Sequence, residues 1–267
     1  YKVKANKDIV ILNHCFFPPK KLEDKFISCY SILNKIIVRD KMSLNKINNK
    51  NFKLKPIFFP DFIFHNKQIV NYSNHFKYKK FCEKHKNNYI ILSDSAHMNR
   101  PNVKLNHRNF YTNLLKILKK KNIKVIFLNG NNPTMQNYIS ELTHANNIIE
   151  IRMDNTLPED LIFLIKNYKF MISGRWHFSL LSFRFCKPII LFDTDSPKTK
   201  ALSKEIYNNY KFYLTSKDFN SSKENLQKKI NIFLQSNKVI KRLFKLKNTN
   251  LDKKLKEQEV FFNKLIL

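Results

Sequence analysis

Glycine is almost absent from this chain, since only two of its 267 residues are glycine. They are Gly130 and Gly174, and they lie far apart in sequence. Glycine-rich phosphate loops, such as GxGxxG and the Walker motif, need closely spaced glycines because only glycine lets the backbone pack against the phosphates. The scarcity of glycine therefore excludes the classical dinucleotide and ATP sites.

Cysteine and acidic residues are also few. The four cysteines form no CxxC pair and lie among apolar residues, which predicts free thiols and no structural zinc site. The chain contains 20 Asp and Glu residues but 50 Lys and Arg residues, so its net charge is +30. The Lys residues are dispersed and no nucleic-acid-binding motif accompanies them, so we predict no nucleic acid partner. Codon bias on a solvated surface, an anionic membrane and an acidic polysaccharide remain as explanations of the charge.

Long apolar runs are missing as well. No window approaches the 18 uninterrupted apolar residues that indicate a membrane span, and no signal-peptide pattern opens the chain. The chain begins at Tyr1 rather than Met, so we expect further residues upstream. These features predict a cytoplasmic protein whose contact with a membrane, if it makes one, is peripheral and at the inner face.

The middle of the chain alternates between short apolar runs and helical patterns. The apolar runs are 88–93, 123–129, 147–152, 168–173 and 187–193. The helical patterns are 107–121, 133–145, 158–167, 176–186 and 198–208. Apolar strands that alternate with helices are typical of a parallel sheet with helices on both faces. We therefore predict one Rossmann-like domain over 88–215.

The first 70 residues alternate less completely. Strand patterns at 8–14 and 35–40 predict an N-terminal α/β domain over 1–70, and the polar stretch 71–87 is a candidate linker. The tail, 216–267, is rich in Lys and predicts basic helices. These helices either pack back on the first domain or lie on a membrane face.

One of the two glycines lies in SGRWH, 173–177, where a strand pattern gives way to a helix pattern. Ligands of open α/β sheets bind at the carboxyl ends of strands, and the first turn of a helix offers unpaired N–H groups. Arg175 as a two-pronged donor and His177 as a hydrogen-bond or proton donor suit a phosphate or carboxylate. Gly174 lets the backbone approach closely or take a positive φ. A structural explanation stays open, in which Arg175 pairs with an acidic neighbour and His177 is half-buried and satisfied.

The block 173–198 resembles the signature of the polysaccharide pyruvyl transferase family. In that family Arg-Leu-His opens the helix, and a strand beginning with Pro and a downstream Lys follow. Here Arg175 and His177 match, and Trp176 replaces the Leu. Pro188 and Lys198 occupy the remaining two positions.

The N-terminal part shows the same resemblance. KIIVRDKMS (35–43) is similar to a segment in which a strand ends in Arg-Asp and a Ser follows, and FFPDFIF (58–64) is similar to the Pro-Asp after it. The glycine-bearing first turn of the family has no counterpart here. We therefore expect the N-terminal domain to be incomplete or reduced.

The resemblance implies a GT-B-like fold, with two Rossmann-like domains that face a cleft. It implies transfer of pyruvate from phosphoenolpyruvate to a sugar, which gives a cyclic ketal without an obligatory metal or cofactor. The residues it implies are His177 and Arg175 as catalytic residues, Arg39, Ser173, Gly174 and Lys198 as donor-binding residues, and His14 as a possible substrate contact. Arg39 would reach across from the other domain, although it alternatively forms a surface pair with Asp40.

Two further stretches carry candidate residues. Ser95 and His97 in SDSAH (93–97) follow the first strand of the second domain, so we hold them as possible substrate contacts. DTD (193–195) is similar to a metal-chelating Asp-x-Asp. An Asp directly after a strand often caps the next helix instead, so we predict no metal site.

Three functions stay open at this point. The first is pyruvyl transfer to a cell-surface polysaccharide, such as a capsule, or to its precursor. The second is glycosyl transfer from a nucleotide-activated acidic sugar of the sialyl or Kdo type, because a similar scaffold carries such enzymes. The third is a non-catalytic, basic protein that binds glycan or membrane. The partners are an anionic donor and a sugar acceptor in the first two cases.

Overall fold

The structure is a computed structural model. It describes residues 10–16, 20–30, 32–50, 54–68, 77–94, 106–130, 138, 140–144, 148–194 and 197–266. The chain forms two compact units, one made of Tyr1–His65 and Thr249–Leu267, the other of Asn66–Asn248. The tail that the sequence analysis groups as 216–267 is thus divided between the two units.

The first unit contains a three-stranded parallel sheet. Its strands are β1 (Val10–His14), β2 (Lys35–Val38) and β3 (Ile57–Phe58), which lie in that order. Helix α1 (Glu23–Tyr30) follows β1, and helix α2 (Lys41–Asn48) follows β2. Ile36 and Val38 of β2 are fully buried in a hydrophobic core with Phe16 and Ile47. Burial of these apolar side chains is the main force that holds the small sheet to its helices.

The second unit contains a six-stranded parallel sheet in the order β6-β5-β4-β7-β8-β9. The strands are β4 (Tyr89–Ser93), β5 (Lys124–Asn129), β6 (Ile149–Arg152), β7 (Phe170–Ser173), β8 (Ile189–Phe192) and β9 (Tyr213–Leu214). Every residue of β4, β7 and β8 is buried. This burial explains why these strands are continuous apolar runs, and it confirms the predicted parallel sheet.

Most helices of the second unit follow the predicted patterns, but the first of them lies within the stretch 71–87 that the sequence analysis treats as a candidate linker. The helices are α3 (Lys79–Lys84), α4 (His107–Lys120), α5 (Pro158–Asn167), α6 (Trp176–Arg184), α7 (Lys198–Tyr207), α8 (Ser216–Phe219) and α9 (Lys223–Gln235). Leu114, Leu115 and Leu118 form the buried face of α4, as their spacing predicts. Of the predicted helix 133–145, the described residues 138 and 140–144 are helical.

The last helix, α10 (Asn237–Ile266), is the longest. Within the first unit its end packs on aromatic side chains: the ring centroids of Phe261 and Phe262 lie 5.0 and 6.0 Å from that of Phe59. This packing agrees with one of the two alternatives that the sequence left open for the tail. None of the described helices combines the length and the apolar composition that crossing a bilayer requires.

Candidate functional site

The candidate site lies at the carboxyl edge of the six-stranded sheet, where three neighbouring strands end. Strand β4 lies between β5 and β7, so Ser93, Asn129 and Ser173 close adjacent strands. The hydroxyl oxygens of Ser93 and Ser173 are 2.6 Å apart and fully buried. Ser173, a predicted donor-binding residue, therefore ties β7 to β4, and its oxygen also accepts the backbone N–H of Arg175 at 2.9 Å.

Arg175 occupies the N-cap position of α6, although its side chain does not cap the helix, and its guanidinium is held by a buried carboxylate. Its Nε donates to Oδ1 of Asp94 at 2.8 Å, and its Nη2 donates to Oδ2 at 2.8 Å. Nη2 also donates to the carbonyl oxygen of Gly130 at 3.1 Å. Asp94, directly after β4, has no exposed side-chain surface, whereas 18% of the Arg175 side chain is exposed. The two-pronged edge that the sequence analysis assigned to an anionic ligand is therefore bound to Asp94.

Gly130 makes room for this guanidinium. A Cβ atom at position 130 would lie 1.8 Å from Nη2 and 2.2 Å from Cζ of Arg175. The backbone N–H of Gly130 also donates to Oδ2 of Asp94, at 3.3 Å. Neither glycine of the chain has a positive φ, so the positive-φ explanation offered for Gly174 is wrong. One glycine thus precedes Arg175 in sequence, and the other lies against its guanidinium in space.

His177 lies in the first turn of α6 and is exposed. No acidic residue lies in that turn, so nothing on the helix itself opposes an anion at its positive end. Lys198 begins α7, after β8, and is half-buried. His177 and Lys198 therefore both lie at the starts of helices that follow strands of the same sheet. Helix starts of this kind are where parallel α/β sheets bind phosphates.

The remaining candidate residues of the second unit belong to the stretches SDSAH (93–97) and DTD (193–195). Ser95 and His97 lie outside the described residues, as does Asp195 of the DTD stretch. Asp193 of that stretch accepts the hydroxyl of Tyr213 at 3.0 Å. Over the described parts of the chain, no cluster of three or more His, Cys, Asp or Glu side chains is arranged to hold a metal ion.

A similar arrangement surrounds Arg39 in the first unit. Arg39 follows β2, and its Nη1 donates to Oδ2 of Asp61 at 2.9 Å. Its Nε lies 2.8 Å from Sγ of Cys15, and burial raises the pKa of that thiol to about 11. Asp61 is 2% exposed, so this arginine too is held by a buried carboxylate.

Asp40 has a different role from the surface pair with Arg39 that the sequence analysis considered. Its side chain accepts from both the backbone N–H and the hydroxyl of Ser43, at 2.7 Å each, and so caps α2. Arg39 pairs with Asp61 instead. His14 ends β1, where its backbone is in register with Val38.

Sequence reasoning missed Asp94 and Asp61 as partners of the two arginines. A weak signal existed for each, since Asp94 directly follows an apolar strand and Asp61 belongs to the quoted Pro-Asp segment. Asp94 and Arg175 are 81 residues apart, however, and only the adjacency of β4 and β7 brings them together.

The sheets and the site define the class of protein first: an α/β protein with Rossmann-like parallel sheets and a basic strand-to-helix turn. Similar folds occur in UDP-GlcNAc 2-epimerase from Methanocaldococcus jannaschii, crystallised with UDP-GlcNAc and UDP (14% identity, TM-score 0.60, 87% of this chain and 70% of that one). A similar fold occurs in a glycosyltransferase from Rickettsia africae (16% identity, TM-score 0.56, 96% of this chain and 70% of that one). Another occurs in a UDP-forming α,α-trehalose-phosphate synthase from Burkholderia vietnamiensis (8% identity, TM-score 0.61, 100% of this chain and 71% of that one). At such low identities these neighbours show the fold alone, and that fold confirms the predicted GT-B-like class.

The family follows from the sequence itself. Residues 1–196 match the family described as polysaccharide pyruvyl transferase, which is well over half of the chain. The chain therefore belongs to the polysaccharide pyruvyl transferase family and is a transferase enzyme. No curated protein matches it significantly.

Proposed function

We propose that this enzyme transfers pyruvate from phosphoenolpyruvate to a sugar of a cell-surface polysaccharide, such as a capsule, or of its precursor. The observation that carries the proposal is the start of α6, where an exposed His177 follows an immobilised Arg175 in a first turn without acidic residues. Family membership supports the same reaction class. An exposed imidazole beside a fixed guanidinium suits a substrate that carries negative charge and needs a proton.

The proposed chemistry assigns one role to each group. His177 gives a proton to the methylene carbon of phosphoenolpyruvate, which becomes the methyl group, and a sugar hydroxyl forms a bond to the neighbouring cationic carbon. The bond from that carbon to the phosphate oxygen then breaks, and a second hydroxyl closes the ketal. One hydroxyl proton replaces the proton that His177 gave, and the other leaves with phosphate. The N–H groups of the α6 start and Lys198 stabilise the negative charge of the donor without a metal or other cofactor.

A second candidate is glycosyl transfer from a nucleotide-activated acidic sugar. It is favoured by the structural neighbours, of which the M. jannaschii epimerase binds UDP-GlcNAc and UDP. An acidic sugar nucleotide would use the same positive helix start, because it too presents phosphate and carboxylate groups. The site geometry alone is therefore compatible with both donors.

A donor screen separates the two candidates. The purified chain is incubated with a panel of polysaccharide-derived sugars and either phosphoenolpyruvate or CMP-activated acidic sugars, and products are detected by mass. We expect a product one pyruvate heavier and one water lighter, formed only with phosphoenolpyruvate and accompanied by inorganic phosphate. Products that gain an acidic sugar would establish the second candidate and reject the first.

We also propose that the tail contacts an anionic membrane at the inner face of the cell. In the part of α10 within the second unit, Val239 and Leu246 are 70% and 63% exposed and lie seven residues apart, on one face of the helix. Four exposed cations surround them: Lys238, Lys241, Arg242 and Lys245. Exposed apolar side chains within a cationic stretch are typical of helices that bind anionic lipid surfaces.

Vesicle sedimentation tests this contact. The protein is expected to sediment with vesicles that contain phosphatidylserine and not with phosphatidylcholine alone, and salt should weaken the binding because the cations contribute to it. Val239→Ser/Leu246→Ser should reduce sedimentation at constant charge. Binding to neutral vesicles, or binding unaffected by salt, would contradict the proposal.

A further inference from the structure

The described residues bind only part of the guanidinium of Arg175. Arginine has five N–H donors, one on Nε and two on each Nη. Asp94 and Gly130 take the Nε–H and both N–H groups of Nη2. Among the described residues, none accepts a hydrogen bond from Nη1. Within the described part of the chain, the two N–H groups of Nη1 are thus the donors of Arg175 that stay available to a ligand.

Asp94 is placed to fix the direction of those two donors. Its carboxylate is fully buried, and it accepts N–H groups from the ends of two other strands, those of Arg175 after β7 and of Gly130 after β5. A bidentate pair holds the guanidinium in one plane and one orientation. The guanidinium occupies the space that a Cβ at position 130 would take, since the three atoms nearest to such a Cβ all belong to Arg175.

The same contacts cancel the net charge of Arg175. A guanidinium paired with a buried carboxylate attracts an anion less through net charge than through the direction of its remaining N–H groups. A shift of the guanidinium would therefore weaken a ligand contact even though the charge stays in place. This dependence on orientation distinguishes a positioning role from a purely stabilising ion pair.

We propose that Asp94 is the positioning residue of Arg175, holding the guanidinium so that its two Nη1 N–H groups meet an oxygen of the anionic donor. The inference rests on the proposed function in that the donor is an anion bound at the start of α6. It adds a residue that acts through Arg175 and does not itself touch the donor. It also gives Gly130 a role, because glycine is the residue that leaves this place to the guanidinium.

The first experiment needs no ligand. In proton–nitrogen correlation spectra, the Nε–H of Arg175 is assigned by its loss in Arg175→Lys. A protected, slowly exchanging signal is expected in the wild-type protein, because Asp94 accepts this proton away from water. The signal should be lost or broadened in Asp94→Asn. An unchanged signal in Asp94→Asn would show that the carboxylate does not hold the guanidinium, and would overturn the proposal.

The second experiment measures binding of phosphoenolpyruvate by calorimetry. Asp94→Asn and Gly130→Ala should each raise its Kd about 10- to 100-fold, the loss expected when a charge-assisted hydrogen bond is misdirected. Gly130→Ala keeps the carboxylate and so covers the case in which Asp94→Asn fails to fold. The control is Asp218→Asn, which removes a buried carboxylate of α8 in the same unit and should leave the Kd unchanged.

A double-mutant cycle decides whether Asp94 acts through Arg175. In the Arg175→Lys background, Asp94→Asn should add less than about a twofold further rise in Kd. Full additivity of the two changes would overturn the proposal.

If the wild-type protein binds no phosphoenolpyruvate while the protected Nε–H signal is present, the proposed function has failed and inorganic phosphate becomes the probe. Equal phosphate affinity in the wild type and Asp94→Asn would then overturn the positioning role, and weaker affinity in the variant would support it.

Discussion

Arg175→Met is expected to lower the free energy of unfolding by about 3–5 kcal/mol, the usual cost of removing one partner of a buried ion pair. Asp94 has no exposed side-chain surface, so its carboxylate would lose the guanidinium without gaining water. Methionine has a similar length and no donor, so the loss of hydrogen bonds dominates the effect. Urea denaturation followed by circular dichroism measures the change.

A matched double variant separates the orphaned charge from other effects of the substitution. In Arg175→Met/Asp94→Asn the buried charge is gone, and Asn still offers an oxygen to the N–H of Gly130. This variant should recover most of the lost stability, because replacing both partners of a buried pair costs far less than removing one. If the free energy of unfolding of Arg175→Met lies within about 1 kcal/mol of the wild-type value, the carboxylate of Asp94 is not isolated from water, and the structure is contradicted on this point.

The sequence predicted the elements of the second unit well because their signals are local. Pro158 at the first position of α5 has no N–H to lose, and the helix begins there as predicted. The strands β4, β7 and β8 are apolar throughout because both of their faces are buried. Periodicity and start signals of this kind depend only on neighbouring residues, so a single sequence reveals them.

The acidic partners of Arg39 and Arg175 could not be predicted in this way, because they depend on the fold rather than on neighbouring residues. The sequence indicated five of the six strands of this sheet, missed β9, and did not show that β4 lies beside β7. This adjacency alone joins Asp94 to Arg175. The neighbouring Asp40 was the sequence-based partner for Arg39. The backbone instead directs Asp40 to cap α2, which leaves Arg39 to Asp61. Long-range pairing of this kind follows from the fold and leaves little trace in local sequence.

The family resemblance gains a physical explanation from these contacts. The two N-terminal segments that carry it are joined by one ion pair, Arg39 with Asp61, and the first segment forms a helix cap of its own, Asp40 with Ser43. Ser43 also accepts the backbone N–H of Phe16 at 2.7 Å, which ties the loop after β1 to α2. The N-terminal motif residues are thus held to each other, and their positions are fixed by the small sheet. A substitution at Asp61 would disturb Arg39 in the same way that one at Asp94 disturbs Arg175.

His177→Ala is expected to lower kcat for pyruvyl transfer by about 10²–10⁴-fold, the range in which a positioned general acid contributes. The side chain is exposed at the start of α6, so its removal leaves the buried network of Asp94 and Arg175 intact. Thermal unfolding should therefore be unchanged. Initial rates of phosphate release with saturating phosphoenolpyruvate, combined with a melting curve, measure both quantities.

The control and the contrast with Arg175 make this test decisive. His144→Ala removes another exposed histidine of the same unit, one that precedes β6 rather than following a strand end, and should retain full turnover. If His177 supplies the proton, His177→Ala lowers kcat and leaves the free energy of unfolding unchanged. Arg175→Met, in contrast, lowers the free energy of unfolding. Turnover of His177→Ala within about twofold of the wild type would remove the imidazole from the chemistry, because a proton donor in the transition state contributes far more than that. The N–H groups at the start of α6 would then remain as donors to the phosphate, and the proton would have to come from another group at this edge of the sheet.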